Sequence, residues 1–246
     1  MTDHDIIELI EPVIRTLKIY HRYSVSGLEH IPKKGRGIIV VNHSLATYDI
    51  CMLIHSIYIR TGRMPRPLVD RLFEKLPLIN TLFTRLGCVP GRQCHAQNLL
   101  LEDQLILVAP GGMAEAIRPY TERYQIKWQD KRGFIRLAIT SQTPIILAFC
   151  PSSDDLYKVY DTQITRWCYR NLRLPMMFVR GLGPTLFPRP VKLKHYISPP
   201  IMPPQVTHND PEQVIDLFHE KVMEQAKSMM LSLPVNPNNP RGLKHY

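Results

Sequence analysis

Two hydrophobic patterns take turns along this chain. Short unbroken apolar runs stand at residues 38–41, 105–108 and 144–149, and the stretches between them repeat apolar residues at helical spacing. Ile38-Ile39-Val40-Val41 and Leu105-Ile106-Leu107-Val108 carry no polar alternation, which predicts strands buried on both faces. Residues 49–59 place Ile50, Leu53, Ile54, Ile57 and Tyr58 on one helical stripe. Further helices are expected over 97–103, over 132–141 through Phe134, Leu137 and Ala138, and over 154–171. The last helix is expected over 210–231, with Asp210-Pro211 as N-cap and first turn. Residues 6–20 repeat Ile6, Ile10, Val13, Ile14 and Leu17, and Pro12 is expected to kink this helix or restart it. Residues 23–31 predict a short strand, Pro32-Lys33-Lys34-Gly35 a turn, and Leu68-Val69 a brief strand. Residues 73–86 predict two short helices meeting at Pro77, forming either plain core or the floor of a lipid-tail groove.

Strands alternating with helices give an α/β class: a mixed, largely parallel central sheet flanked by helices. At 246 residues, without repeats or a dividing linker, the chain reads as one domain over residues 1–233. That domain begins with the amphipathic helix, which either packs on the core or lies on a membrane. The Asn- and Pro-rich residues 234–246 are expected to be a flexible tail.

Composition narrows the partners. The apolar fraction of 44% is ordinary for a globular protein, and the net charge of +10 favours anionic partners such as nucleic acid, anionic lipid or a polyphosphate. Residues 162–209 contain no Asp or Glu but seven cations: Arg166, Arg170, Arg173, Arg180, Arg189, Lys192 and Lys194. Trp167, Tyr169, Phe178, Phe187 and Tyr196 are interleaved with them. Aromatics beside cations suit a lipid interface, a nucleic-acid surface or a plain solvated face. No nucleic-acid motif accompanies the charge, so an anionic membrane surface is the expected partner and nucleic acid is not. The five cysteines lack any CxxC pair, which points to reduced thiols in a cytosolic compartment. Cys88, Cys94 and His95 find no fourth residue at zinc spacing, so no metal is expected. No apolar run approaches the ~20 residues that span a bilayer. Residues 1–5 are polar and acidic, unlike a secretory signal. The expected location is cytoplasmic, with peripheral membrane association.

The candidate chemistry sits where the strands end. His43 follows the first buried strand and precedes a helix, which is where open α/β sheets place their ligands. Asp49, in the first helical turn, is positioned to accept the imidazole Nδ1–H and leave Nε2 as proton acceptor. The plain alternative is that Asn42 or Ser44 caps the helix and His43 is a turn residue. The second strand ends in Pro110-Gly111-Gly112, repeating the grammar of strand, turn and helix. Backbone N–H groups at such a corner can face an oxyanion.

Four ordered segments resemble the conserved blocks of the glycerolipid acyltransferase superfamily (PlsC-like): Asn42-His43 with Asp49, residues 87–92, Pro110-Gly111-Gly112 with Glu115, and Thr143-Pro144-Ile145-Ile146. The diacylglycerol acyltransferase and phytyl ester synthase type is the most similar, its third block also being Pro-Gly-Gly followed by Glu. Arg132-Gly133-Phe134 recurs in that type too. The resemblance implies transfer of an acyl group from acyl-CoA or an acyl-carrier protein to a hydroxyl, with no cofactor. It implies His43 and Asp49 as catalytic residues. It implies Arg92, Gly111, Gly112, Glu115 and Pro144 as substrate-binding residues, with Arg92 on the donor's phosphates.

Two departures bear on the substrate. Five residues separate His43 from Asp49, where the superfamily usually has four; the subgroup resembled here tolerates five. Members that accept a phosphate-bearing alcohol carry Pro-Glu-Gly-x-Arg in the third block. Here Gly111 and Ala114 occupy the Glu and Arg positions, with Arg118 one turn on as a substitute. The resemblance therefore implies a neutral acceptor such as mono- or diacylglycerol. A lysophospholipid acceptor of the 1-acylglycerol-3-phosphate type, a thioesterase, and a non-catalytic lipid-binding protein of the same fold are the alternatives.

Overall fold

The computed structural model describes residues 2–70, 74, 77–160, 178–205 and 210–234. Its centre is a seven-stranded sheet in the order β1-β9-β6-β2-β5-β3-β4. The strands are β1 (Ser24–Ser26), β2 (Gly37–Val41), β3 (Arg66–Val69), β4 (Val89–Pro90), β5 (Leu105–Val108), β6 (Ile145–Phe149) and β9 (Lys194–Ile197). β7 (Lys158–Tyr160) and β8 (Phe178–Arg180) form a separate antiparallel ribbon. β6, β2, β5, β3 and β4 are mutually parallel, and β9 is antiparallel to β6 while carrying β1 parallel to itself. The sheet is thus mixed and largely parallel.

The central strands show why their runs are uninterrupted. Ile38, Val40, Ile106, Val108, Ile145 and Leu147 face one buried cluster, which also holds Trp128, Phe134 and Phe218. Ile39, Val41, Leu105, Leu107, Ile146 and Ala148 face another, together with Ile6, Leu53 and Ile57. Alternate residues serve opposite cores, so both sides of the pleat must be apolar.

The helices are α1 (Asp3–Tyr20), α2 (Tyr48–Thr61), α3 (Pro77–Arg85), α4 (Gln93–Leu101), α5 (Gly112–Ala116), α6 (Gly133–Thr140) and α7 (Pro211–Ser232). A reciprocal capping box starts α1: Thr2 Oγ1 accepts from Asp5 N–H at 3.2 Å, and Asp5 Oδ2 accepts from Thr2 N–H at 2.7 Å. The helix runs through Pro12 without restarting. Ile6 and Ile7 before the proline and Ile14 after it are all buried, so packing on both sides holds one continuous element. Lys18 Nζ lies 2.8 Å from His55 Nδ1 and 2.9 Å from Ser56 Oγ, and His55 Nε2 meets Glu11, which ties α1 to α2. The outer face of α1 leaves Leu9, Val13 and Ile19 exposed. The N-terminal helix therefore packs on the core and still presents apolar residues outward.

Several expectations change. The helix expected over 154–171 is, where described, a 3-10 turn at Pro151–Asp155 followed by β7. Pro151 opens that turn, and the segment finds a strand partner in β8, which outweighs its local helical pattern. β4, β8 and β9 are too short or too polar in alternation to signal themselves. The helix over 97–103 begins earlier, at Gln93. Of the segment 73–86, the first predicted helix lies, apart from residue 74, outside the described residues, as do residues 235–246 of the tail. Arg166, Arg170, Arg173, Trp167 and Tyr169 also fall outside them. Among the described residues, no helix is long and apolar enough to cross a membrane.

Candidate active site

Parallel pairing decides what comes together. β2 and β5 are neighbours with Val40 opposite Val108, and the turn residues His43 and Gly111 each follow that pair by three positions. The histidine turn and the double-glycine corner therefore emerge side by side at the carboxyl edge of the sheet. Asn42 anchors the first of them: its Nδ2 donates to Cys150 O at 3.2 Å and its Oδ1 accepts from Cys150 N–H at 2.8 Å. Asn42 is thus a latch to the end of β6, and neither it nor Ser44 caps α2. Thr47 is the N-cap, in the left-handed region at φ 58°, with no side-chain capping bond.

His43 is half-buried, and its Nδ1 lies 2.9 Å from the Ser44 carbonyl oxygen. A carbonyl only accepts, so Nδ1 carries the proton and Nε2 keeps its lone pair. Burial holds the imidazole below its ordinary value of 6.5, and the Arg118 charge adds to this. The ring is therefore a neutral base at neutral pH.

Asp49 does not make the contact expected of it. Both carboxylate oxygens are buried without a hydrogen-bond partner, and Oδ2 faces His195 Nε2 at 3.8 Å. Tyr48 N–H closes a tight turn onto the Ala46 carbonyl at 2.6 Å as α2 begins, and Asp49 in the first helical turn is directed at β9, while the His43 Nδ1–H is already taken by Ser44 O. Burial pushes Asp49 up to about 7; the Asp49 and Ile50 N–H groups and the Ser44 hydroxyl ease this without being placed for a hydrogen bond.

At the glycine corner, Gly112 has φ 52° and donates its N–H to the Ala109 carbonyl at 3.0 Å. Gly112 is thereby removed as an oxyanion donor. Among the described residues, the N–H groups of Gly111, Met113 and Ala114 have no such partner. Gly111 is obligatory for a different reason: a Cβ there would lie 1.8 Å from Glu115 Oε2. Glu115 itself is fully buried, accepting from Trp128 Nε1 at 2.8 Å and from Arg118 Nη1 at 3.1 Å. It organises the corner and does not face a substrate, which corrects its expected binding role. Burial raises its carboxyl despite those two donors.

Arg118 was expected as a substitute phosphate ligand, and the structure commits it elsewhere. Its Nη1 also donates to Gln125 O at 2.5 Å, and its Nη2 donates to Asp154 Oδ1 at 2.6 Å and His43 O at 3.3 Å. Asp154 Oδ2 in turn accepts from Tyr124 N–H at 2.7 Å. Beside this network a small cleft of about 20 Å³, partly open to solvent, is lined by Leu45, Pro119, Tyr120, Tyr157 and Val159 with Arg118, Arg123 and Asp154. Asp154 and Trp128 belong to the site and carried no signal in the sequence, since neither lies in a strand-turn-helix motif.

The remaining two expectations separate. Arg92 lies just past β4, at the same edge as His43 but three strands across, about 14 Å at the usual strand spacing. It is half-exposed and pairs with Glu74, Nη2 to Oε2 at 2.7 Å. Pro144 lies at the opposite edge. Its carbonyl accepts the Ile38 N–H at 3.0 Å, about 16 Å along the strands from His43. It starts β6 and has no place among the substrate-binding residues.

Removing the Arg118 guanidinium would leave Glu115 and Asp154 buried without their counter-charge. Arg118→Met is expected to cost about 3–5 kcal/mol, measured as the loss of unfolding free energy in urea.

Comparison with known proteins bears on this geometry. The sequence profile of the family described as Acyltransferase matches residues 22–148. The chain is 29% identical over 213 residues to the Bos taurus protein named "DGAT1/2-independent enzyme synthesizing storage lipids", covering 86% of this chain and 60% of that one. It is 30% identical over 191 residues to the Homo sapiens protein of the same name, covering 77% and 57%. The chain thus spans less than two thirds of these relatives' length. The crystal structure of the 1-acyl-sn-glycerophosphate acyltransferase PlsC from Thermotoga maritima matches with a TM-score of 0.56, covering 92% of this chain and 81% of that one at 17% identity. That likeness is one of fold, mixed α/β with the same kind of central sheet. With the profile covering just over half of the chain, and with both functional turns inside it or beside it at one sheet edge, the protein belongs to the acyltransferase family.

Proposed function

We propose that the protein transfers a fatty acyl group from a thioester, acyl-CoA or an acylated carrier protein, to the hydroxyl of a neutral lipid alcohol such as mono- or diacylglycerol. The observation that carries this is the state of His43: neutral, its Nδ1–H committed to Ser44 O, its Nε2 available, and the glycine corner on the adjacent strand. Nε2 takes the proton as the acceptor oxygen attacks the thioester carbonyl carbon. The C–O bond forms, the carbonyl electron pair moves to oxygen, and the Gly111, Met113 and Ala114 N–H groups are the nearest uncommitted donors for it. One aimed donor is worth about 3 kcal/mol. Collapse expels the thiolate, which recovers the proton from the imidazolium. Asp49 is a positioning residue in this scheme, acting through the turn and α2 and not on the ring.

A neutral acceptor is favoured by the third block. Gly111 and Ala114 bring no charge, and Arg118 is buried among Glu115, Asp154 and backbone carbonyls. The storage-lipid names of the relatives agree with that preference. Arg92, exposed at the same edge, is proposed to meet the donor's phosphates by exchanging Glu74 for them. Peripheral membrane association is proposed through the segment after β8, where Leu182, Leu186 and Phe187 are exposed between Arg180 and Arg189, and through the outer face of α1.

The direct test is an acceptor screen with labelled palmitoyl-CoA, products identified by mass. Mono- or diacylglycerol is expected to be acylated in preference to lysophosphatidate or water. His43→Ala, folded by circular dichroism, is expected to lose at least about 10²-fold in kcat/KM. A preference for lysophosphatidate would select the lysophospholipid alternative, and a folded, active His43→Ala would remove the base. The base must be neutral to act, and its burial lowers the pH at which it protonates. The acid limb of the kcat/KM profile should therefore fall with a midpoint below the ordinary histidine value of about 6.5. Vesicle co-sedimentation should rise with anionic lipid, fall with salt and weaken in Leu186→Glu.

A further inference from the structure

A second cluster of chemistry-bearing side chains lies behind the His43 turn. Asp49, Cys150 and His195 are each no more than 1% exposed, and one ligating atom of each lies within 4.8 Å of the others. Chain order hides this cluster, because its members come from the start of α2, the end of β6 and the middle of β9. Four buried polar atoms meet here without hydrogen-bond partners: both Asp49 oxygens, His195 Nε2 and Ser44 Oγ. Native interiors seldom leave one such atom unsatisfied, and an ion or an ordered solvent molecule is a common resolution. We propose that Asp49, Cys150 and His195 form a buried structural site for one zinc ion.

The donor set fits. Carboxylate oxygen, thiolate sulfur and imidazole nitrogen are all zinc ligands, and the sulfur and nitrogen select against magnesium and calcium. The 3.8 Å from His195 Nε2 to Asp49 Oδ2 is too long for a hydrogen bond. It is a few tenths of an ångström more than the roughly 3.4 Å between two ligands on a tetrahedral zinc. His195 is oriented from behind, with Nδ1 2.9 Å from Tyr23 Oη. That contact turns Nε2 toward the cluster, as outer partners of metal-bound histidines do. Charge closes as well. A carboxylate, a thiolate and a neutral imidazole carry two negative charges, which a dication cancels in a place where a lone buried carboxylate is costly. With three protein ligands, solvent would take the fourth position of a tetrahedral ion.

Such an ion joins α2, β6 and β9 directly behind the turn that carries His43. It goes beyond the acyl-transfer proposal and does not depend on it. Protein expressed with added zinc, or refolded in its presence and desalted, is expected to retain about one zinc per chain by mass spectrometry of the metal. Cobalt in its place is expected to show a near-ultraviolet thiolate-to-cobalt charge-transfer band. That band should vanish in Cys150→Ser and persist in Cys94→Ser, whose thiol is exposed. Zinc-free wild-type protein after such loading, or a cobalt band that survives Cys150→Ser, would overturn the site. The wild-type metal content decides the matter even where Cys150→Ser fails to fold, and neither measurement depends on acyl-transfer activity.

Discussion

One buried guanidinium holds the functional edge of this protein together. Arg118 touches the helix after the glycine corner through Glu115, the histidine turn through the His43 carbonyl, and the turn after β6 through Asp154. Asn42 already latches the histidine turn to the end of β6, and Arg118 adds the glycine corner to that pair, since loops at a sheet edge share no ladder hydrogen bonds. A charge buried this deeply is tolerated because two carboxylates and two carbonyls surround it, and the guanidinium is in turn the counter-charge of both carboxylates. The mutual dependence makes the edge rigid as a unit. That suits chemistry in which a base and its oxyanion donors must keep their spacing while a flexible acyl chain enters.

The same commitment shapes the chemistry by exclusion. An arginine whose two terminal nitrogens are committed to Glu115, Asp154 and two carbonyls keeps only a buried Nε–H uncommitted, out of reach of an entering substrate phosphate. A histidine whose Nδ1–H is fixed on a backbone carbonyl needs no carboxylate to choose its tautomer, so the loss of the expected Asp49 contact leaves a competent base. What the neighbouring carboxylate would add is stabilisation of the imidazolium. Here the negative charge nearest in role is Asp154, whose field raises the His43 pKa while Arg118 lowers it. The proton affinity of the ring is thus lowered chiefly by burial, and a buried ion pair stands beside it where a dyad was expected.

Much of the fold was legible because the central strands are apolar without interruption. β2, β5 and β6 announced themselves, and their shared edge placed His43 and Gly111 together before any coordinates. What escaped was set by tertiary partners. β9 is a strand because β6 offers its edge, although Lys194-His195-Tyr196 is polar. Residues 158–160 are a strand because β8 pairs with them. Within the site, the identities of His43 and Gly111 were readable, but the directions of Asp49 and Glu115 were not. Those depend on where His195, Trp128 and Arg118 sit, which has no local signature. Pro144 was carried over from the resemblance to a family block, and its position at the far edge shows that a block can belong to the strand and not to the site.

The crowding at Gly111 has a consequence for how acceptor preference can change over time. The position corresponds to the glutamate of the phosphate-type block, yet the Glu115 carboxylate already fills the space any side chain would enter. Ancestors or engineered descendants could not cross from one block to the other by altering this residue first. The route would begin with Glu115, then free Arg118, and only afterwards admit a larger residue at 111. Order of substitution, and not the number of substitutions, is the barrier between the two forms of the block.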